Sequence, residues 1–167
     1  MVVVVMGVSG CGKSTIGQAL ANALDWDFQE GDALHPQANI DKMRAGVALE
    51  DDDRWPWLDR IADWISREHA HHRQGVASCS ALKRRYRDRL RRAEGDVGFV
   101  YIQVSRGELQ RRTRQRRHFM PASLLDSQLR TLEEPSPDEN VLTIDGEATL
   151  AAIIAEVGRW LDRRRAR

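Results

Sequence analysis

The chain has 167 residues, with 26 Lys and Arg against 25 Asp and Glu, and so a formal net charge of +1. That length suits one domain with its own core, and the near-neutral balance excludes a global field that would draw the chain onto nucleic acid or an anionic membrane. The two cysteines, one inside a glycine-rich loop, argue against an oxidised secreted scaffold and for a reducing cytoplasm, and the apolar opening is too short to span a bilayer.

Val2 to Met6 is a continuous β-branched and apolar run without alternation, as expected of a strand covered on both faces. Ile16, Ala19, Leu20, Ala23 and Leu24 then recur at the spacing of one helical face. A second strand is expected over Trp26 to Glu30. An insertion, Asp32 to Arg73, follows, with a helix near Pro36 to Ala45 and another that starts about Asp53 and Pro56 and buries Trp57, Leu58, Ile61, Trp64 and Ile65. Further strands are expected at Gly75 to Cys79, Gly98 to Val104 and Val141 to Ile144. The first of these is followed by an apolar stripe of Leu82, Tyr86, Leu90 and Ala93, and the last by Leu150, Ile153, Ile154, Val157 and Leu161. Between them, Pro121 opens a helix through Leu124, Leu125, Gln128, Leu129 and Leu132 that stops before Pro135. Alternating strands and helices specify an α/β fold, a parallel sheet flanked by helices in three layers.

Between the first strand and the first helix lies Gly7-Val8-Ser9-Gly10-Cys11-Gly12-Lys13-Ser14-Thr15, which satisfies G-x-x-x-x-G-K-[ST]. Glycine permits positive φ and close approach, so that successive backbone N–H groups converge on phosphate oxygens, and the helix N-terminus adds partial positive charge. Lys13 can then reach the β- and γ-phosphates, and the Ser14 hydroxyl can ligate Mg²⁺. The loop therefore predicts ATP binding. A strand-end carboxylate is harder to find. Asp145 reads as a turn residue, and Ser78-Cys79-Ser80 offers none, which leaves Asp32 as the leading second acid, directed at Mg²⁺ or at the acceptor. Asp32 follows the second strand at the carboxyl edge of the sheet, where it serves as a base, orients a hydroxyl, or caps the next helix.

Several blocks away from the loop carry a resemblance. Gly31-Asp32-Ala33-Leu34-His35-Pro36, Asn39, Lys42-Met43, Gly46, Asp51, Asp53-Arg54 and Pro56-Trp57-Leu58 are similar to gluconate kinase. So are Ser78 to Arg84 with Tyr86-Arg87-Asp88, and His118 to Pro121 leading to Ser127-Gln128 and Thr131-Leu132-Glu133. The resemblance covers about Val4 to Glu139. Cys11 stands where the family often has Ser, Val47-Ala48 where Pro-Leu is frequent, and Glu50 where a small polar residue is common. The resemblance implies ATP-dependent phosphorylation of D-gluconate at its 6-hydroxyl, on a fold similar to shikimate and adenylate kinases, by a homodimer. On this reading residues 1–167 form a single P-loop kinase domain, with a substrate-binding insertion over about 32–73 and a lid over about 110–121.

A sugar acid needs a cation for its carboxylate and polar groups for its hydroxyls. His35, Arg54 and Lys83 are the candidates beside Asp32, and Lys13, Lys42 and Lys83 are the only lysines in an arginine-dominated set. Arg54 either meets substrate or pairs with the Asp51 to Asp53 cluster, and His35 and Lys83 either meet substrate or serve the fold. Arg111, Arg112, Arg114, Arg116 and Arg117 crowd a segment with almost no apolar face, which suits a lid that closes over ATP. By resemblance to the shikimate kinase lid, Arg112 stacks on adenine, Arg116 or Arg117 meets the phosphates, and Arg117 is assigned a catalytic part. Other readings are a kinase for a different hydroxylated acid such as shikimate, a regulatory ATP-binding loop, and a nucleic-acid surface. The last lacks interleaved aromatic residues for base stacking.

Overall fold

The computed structural model describes residues 1–115 and 122–166. Five parallel strands, β1 (Val2–Met6), β2 (Asp27–Glu30), β3 (Gly75–Cys79), β4 (Val97–Gln103) and β5 (Leu142–Asp145), form one sheet in the order β2-β3-β1-β4-β5. The helices are α1 (Lys13–Leu24), α2 (Gln37–Arg44), α3 (Asp51–Ala70), α4 (Arg84–Arg91), α5 (Arg106–Gln115), α6 (Ala122–Thr131) and α7 (Leu150–Arg165), with short 3₁₀ turns at Gly31–Leu34 and Pro137–Glu139.

The unalternating character of β1 follows from its central place. Val3 and Val5 pack into one core with Ile16 and Leu20 of α1 and Ile153, Val157 and Trp160 of α7, whereas Val2, Val4 and Met6 face Trp57, Leu58 and Ile61 of α3 and Leu90 of α4. Both faces of the strand are thus dry, and only apolar side chains fit. The sheet reverses its winding around β1, which has β3 on one side and β4 on the other, paired in register from Val2 to Met6. A crevice at the carboxyl ends of the strands is the consequence, and the glycine loop opens into it.

Two boundaries and one stripe differ from the sequence-based expectation. Helix α3 begins at Asp51, ahead of Asp53 and Pro56, because Glu50 caps it and Asp53 returns the bond, its carboxylate accepting from Glu50 N–H at 2.9 Å. Pro56 therefore lies inside the helix, where it forgoes one bond to the carbonyl of exposed Asp52. Helix α4 begins only at Arg84, so Leu82 packs from the preceding loop. On α7 the buried face runs Ile153, Val157, Trp160 and Leu161, while Leu150 at the first turn is 39% exposed. Trp160, near the other end of α7, packs on Gly98 of β4. A Cβ on Gly98 would sit 2.6 Å from the indole ring.

A buried ion pair ties the turn at Pro137–Glu139 to α4. Arg87 on α4 is fully buried and meets Glu139 through two bonds, 2.6 and 2.7 Å, while its third nitrogen bonds the carbonyls of Ala81, Leu82 and Glu133. Bonding to Arg87 holds the Glu139 carboxyl down to about 2. Among the described residues, no helix is long and apolar enough to cross a membrane.

Candidate functional site

The loop between β1 and α1 has the backbone that its glycines predict, with Gly7, Gly10 and Gly12 at φ of 147°, 83° and 104°. Gly12 is the N-cap of α1, so no side chain satisfies the first N–H groups of that helix, and its first turn carries no acid. By contrast α3 has a reciprocal capping box, and α7 uses the Thr149 hydroxyl on Ala152 N–H. The open end of α1 is thus a concave anion cradle. Lys13 Nζ donates to the Val8 carbonyl at 2.9 Å, which folds the ammonium over the loop. Ser14 and Thr15 are exposed on the first turn, whereas Val8 and Cys11 are buried beneath it. From α6, Gln128 Oε1 accepts from Ser9 N–H at 2.7 Å, which ties that helix to the loop.

Beside the cradle lies a cavity of about 360 Å³ lined by Gly10, Gly12, Thr15, Arg112, Gly146 and Ala148, among others. Arg112 spans its mouth. The guanidinium donates to the Cys11 carbonyl at 3.3 Å and the Gly146 carbonyl at 3.0 Å, and it pairs with Glu108 at 2.7 Å. Glu108 also holds Arg111, and these two arginines draw its carboxyl down to about 2. Asp145 ends β5, and its carboxylate accepts from Glu147 N–H at 2.9 Å in the turn that follows. Of the lid candidates, Arg116 and Arg117 lie outside the described residues.

On the other side of the loop the Asp32 segment is held by the sheet. The Ser78 hydroxyl accepts from Gly31 N–H at 3.0 Å and donates to Glu30, and a Cβ on Gly31 would lie 1.9 Å from the Ser78 carbonyl. Only glycine allows so close an approach, which brings Asp32 to the edge of β3. The Asp32 carboxyl is raised above the usual carboxylate range, chiefly by the low polarity of the surrounding cleft, with Lys13 opposing and Glu30 adding to the rise. Its side chain is 59% exposed, so the carboxylate stays reachable. His35 is buried, stacks on Trp57 at 4.1 Å and 14°, and is pushed down to about 4 by burial and by Arg54. It is therefore uncharged at neutral pH, and its 3.9 Å approach to Asp32 is not an ion pair.

The geometry separates the alternatives for the basic residues. Asp53 is taken by Lys42 at 2.6 Å and by its capping role, and Asp51 by Lys83 at 3.0 Å, by Arg85 and by the Tyr86 hydroxyl. Arg54 is left out of that cluster. It is 6% exposed, its Nε has no hydrogen-bond partner, and among the described residues it forms no ion pair. The centroid of the Tyr86 ring lies 5.5 Å from its guanidinium carbon, and its charge also acts on Asp53 and His35. A buried cation without an anion is costly unless something else supplies the charge. Asp32, Lys13 and Arg54 are all near enough to act on the thiol of Cys79 at the end of β3, which burial pushes up to about 12. Cradle, carboxylate and unpartnered guanidinium thus share one crevice. Lys83, by contrast, is already neutralised by Asp51.

Sequence reasoning missed Asn39, Ser78 and Asp51 as parts of this site. Asn39 and Asp51 fell within the family-like blocks, but an amide and an acid on a helix carry no local sign of their partners.

Among the described residues, no group of three or more His, Cys, Asp or Glu side chains could hold a metal ion. Ser14 and Asp32 are hard oxygen donors, and a Mg²⁺ carried on phosphates needs only one or two such protein ligands.

Comparison with known proteins agrees with this geometry. The AAA domain family profile matches residues 2–135. A gluconokinase of Gluconobacter oxydans is 50% identical over 157 residues, covering 93% of this chain and 88% of that protein. Among solved structures, a gluconokinase from Sinorhizobium meliloti superposes with a TM-score of 0.83 at 45% identity, covering 97% of this chain and 95% of that one. An unliganded sugar kinase from Janibacter superposes with a TM-score of 0.91 at 42% identity, covering 96% and 94%.

Proposed function

The chain belongs to the gluconokinase family of P-loop kinases, and from that footing we propose that it transfers the γ-phosphoryl group of ATP to the 6-hydroxyl of D-gluconate. The products are 6-phospho-D-gluconate and ADP. The observation that carries the substrate is Arg54, a buried guanidinium with no ionic partner among the described residues, in the crevice that also holds Asp32 and Lys13. A sugar-acid carboxylate supplies the missing charge, and the guanidinium fork suits its two oxygens.

In the reaction, the oxygen of the 6-hydroxyl bonds to the γ-phosphorus as the bond to the β,γ-bridging oxygen breaks. Transfer of this kind depends mainly on alignment and on neutralising phosphate charge. Backbone N–H groups of Gly7 to Thr15 and the first turn of α1 hold the phosphates, and Lys13 leaves the Val8 carbonyl to bridge the β- and γ-groups. Asp32, with its raised pKa, accepts the hydroxyl proton or orients it. Mg²⁺, held by Ser14 and Asp32 together with the phosphates, supplies further charge neutralisation when bound. His35 contacts the acceptor, and Lys83 bounds the same crevice through Asp51 and Tyr86. Arg112 stacks on adenine at the mouth of the cavity beside the loop, while Arg116 and Arg117 keep the phosphate and catalytic parts that resemblance to the shikimate kinase lid assigns them. The working unit is a single kinase domain that pairs as a cytoplasmic homodimer, without nucleic acid or membrane.

A panel of hydroxylated acceptors with Mg-ATP tests the proposal. Gluconate should be turned over well above shikimate or a nucleoside monophosphate. Equal or better use of shikimate, with none of gluconate, would overturn it.

A further inference from the structure

The acceptor side holds a buried amide that neither the phosphate loop nor Arg54 accounts for. Asn39, on α2, is 3% exposed, and its Nδ2 donates to the Asp53 carbonyl at 2.8 Å. The same nitrogen lies 3.2 Å from His35 Nδ1. A backbone carbonyl only accepts, so the atom facing it is the amide nitrogen, and its second N–H is the one aimed at the ring. A ring nitrogen that accepts carries no proton. An imidazole keeps at least one N–H, so with Nδ1 bare the proton sits on Nε2.

The ring plane is set independently. His35 stacks on Trp57, and Trp57 is pinned by its own Nε1–H, which donates to the Gly31 carbonyl at 2.8 Å. Together these contacts place His35 Nε2 at 3.9 Å from Asp32 Oδ1. That separation is too long for a direct hydrogen bond. It does suit the base of a triangle whose other two sides are hydrogen bonds of about 2.7–3.2 Å to one shared atom. The two groups have opposite sense, an N–H that donates and a carboxylate oxygen that accepts. A hydroxyl, which donates and accepts through a single oxygen, is complementary to both, whereas an ammonium would set N–H against N–H.

We propose that Asn39 is a positioning residue for phosphoryl transfer, holding the His35 proton on Nε2 so that His35 and Asp32 together select a hydroxyl and orient its oxygen. The placing of an acceptor hydroxyl beside Asp32 rests on the kinase reading above. Asn39 itself touches neither substrate nor phosphate. It acts through the tautomer of His35, while its bond to the Asp53 carbonyl fixes the amide, and Lys42 secures α2 on Asp53 at 2.6 Å whatever residue 39 is.

Two measurements test this. Long-range ¹H–¹⁵N NMR of the ¹⁵N-histidine-labelled wild-type protein, without acceptor at neutral pH, should show His35 protonated on Nε2 and bare on Nδ1. A proton on Nδ1 overturns the proposal. That readout needs no turnover, so it decides the part of Asn39 whatever the acceptor proves to be, while the acceptor panel separately decides gluconate. The second measurement is a kinetic cycle. Asn39→Leu should lower kcat about ten- to a hundred-fold, with the KM for ATP unchanged. In a His35→Gln background, where the Gln amide presents N–H near the Nε2 position whatever residue 39 is, the same substitution should have little further effect. An equal loss in both backgrounds would assign Asn39 a merely structural role and overturn the proposal.

Discussion

The two halves of the crevice are built by different means. The nucleotide half is one contiguous stretch, Gly7 to Thr15, whose work is done by backbone conformation and by a helix end left uncapped. The acceptor half draws side chains from the 3₁₀ turn after β2, from α2 and α3, and from the start of α4, each held by another: His35 on Trp57 and Asn39, Asp53 on Lys42, Asp51 on Lys83, Arg85 and Tyr86. A local device fails locally, whereas a mutually supported one spreads the effect of a single change. Substitutions in the loop should therefore impair chemistry and spare stability, and those in the network should couple to one another.

The largest effect is expected at Lys13, where Lys13→Ala should lower kcat by about four orders of magnitude, about 5 kcal/mol of transition-state stabilisation. Its thermal midpoint should stay near that of the wild type, since the ammonium has only the Val8 carbonyl as partner. A large loss of stability would break the contrast drawn between the two halves. Next in size is Arg87→Met, which leaves the buried Glu139 carboxylate only the longer contact to Arg91 at 3.4 Å and the Ser136 N–H, and should cost about 3–5 kcal/mol in denaturant unfolding. The sign of its pH dependence follows from Glu139. Because that carboxyl is held down to about 2 in the folded chain, the pair stabilises fully above the ordinary carboxylate range. That contribution is lost as pH falls from about 4.5 towards 2, and Arg87→Met should lose most of this component of acid destabilisation, keeping the part due to Ser136 and Arg91.

Smaller, and confined to the acceptor, is the effect expected at Arg54. Arg54→Met should raise the KM for gluconate about a hundred-fold, about 3 kcal/mol, with the KM for ATP unchanged in steady-state kinetics. Because the unpartnered cation is itself a burden, the same variant should unfold no more easily than the wild type. A fall in stability without a change in KM would assign Arg54 to the fold instead. The smallest change should be Arg112→Ala, raising the KM for ATP about five- to ten-fold, as loss of one stacked guanidinium predicts. An equal rise in the KM for gluconate would show that the two halves are less separate than their construction implies.

Much of the scaffold was legible because it depends on near neighbours. The five strands lie within a residue or so of their expected places, and central β1, covered on both faces, is apolar throughout for that reason. Boundaries that turned on one side-chain bond were less so. Glu50, a departure from the family pattern, caps α3 three residues ahead of the position suggested by Asp53 and Pro56. The burial of Trp160 depended on the bare surface of Gly98 on β4, which no periodicity in α7 reveals.

The chain itself determined the phosphate loop, because glycine, lysine and a helix start act through bonds between close neighbours, and the same order of residues makes the same cradle. It also marked Asp32, His35, Arg54 and Lys83 as candidates, without saying which cation was already spent. Only the tertiary structure decided that. Lys83 is neutralised by Asp51, 32 positions away, and Arg87 by Glu139, 52 away, while Arg54 forms no ion pair among the described residues. Pairing between charges depends on which elements the sheet brings together, and that distance is absent from any local pattern. The polarity of the acceptor site was decided there as well, by an asparagine whose chemistry becomes visible only once His35 lies beside it.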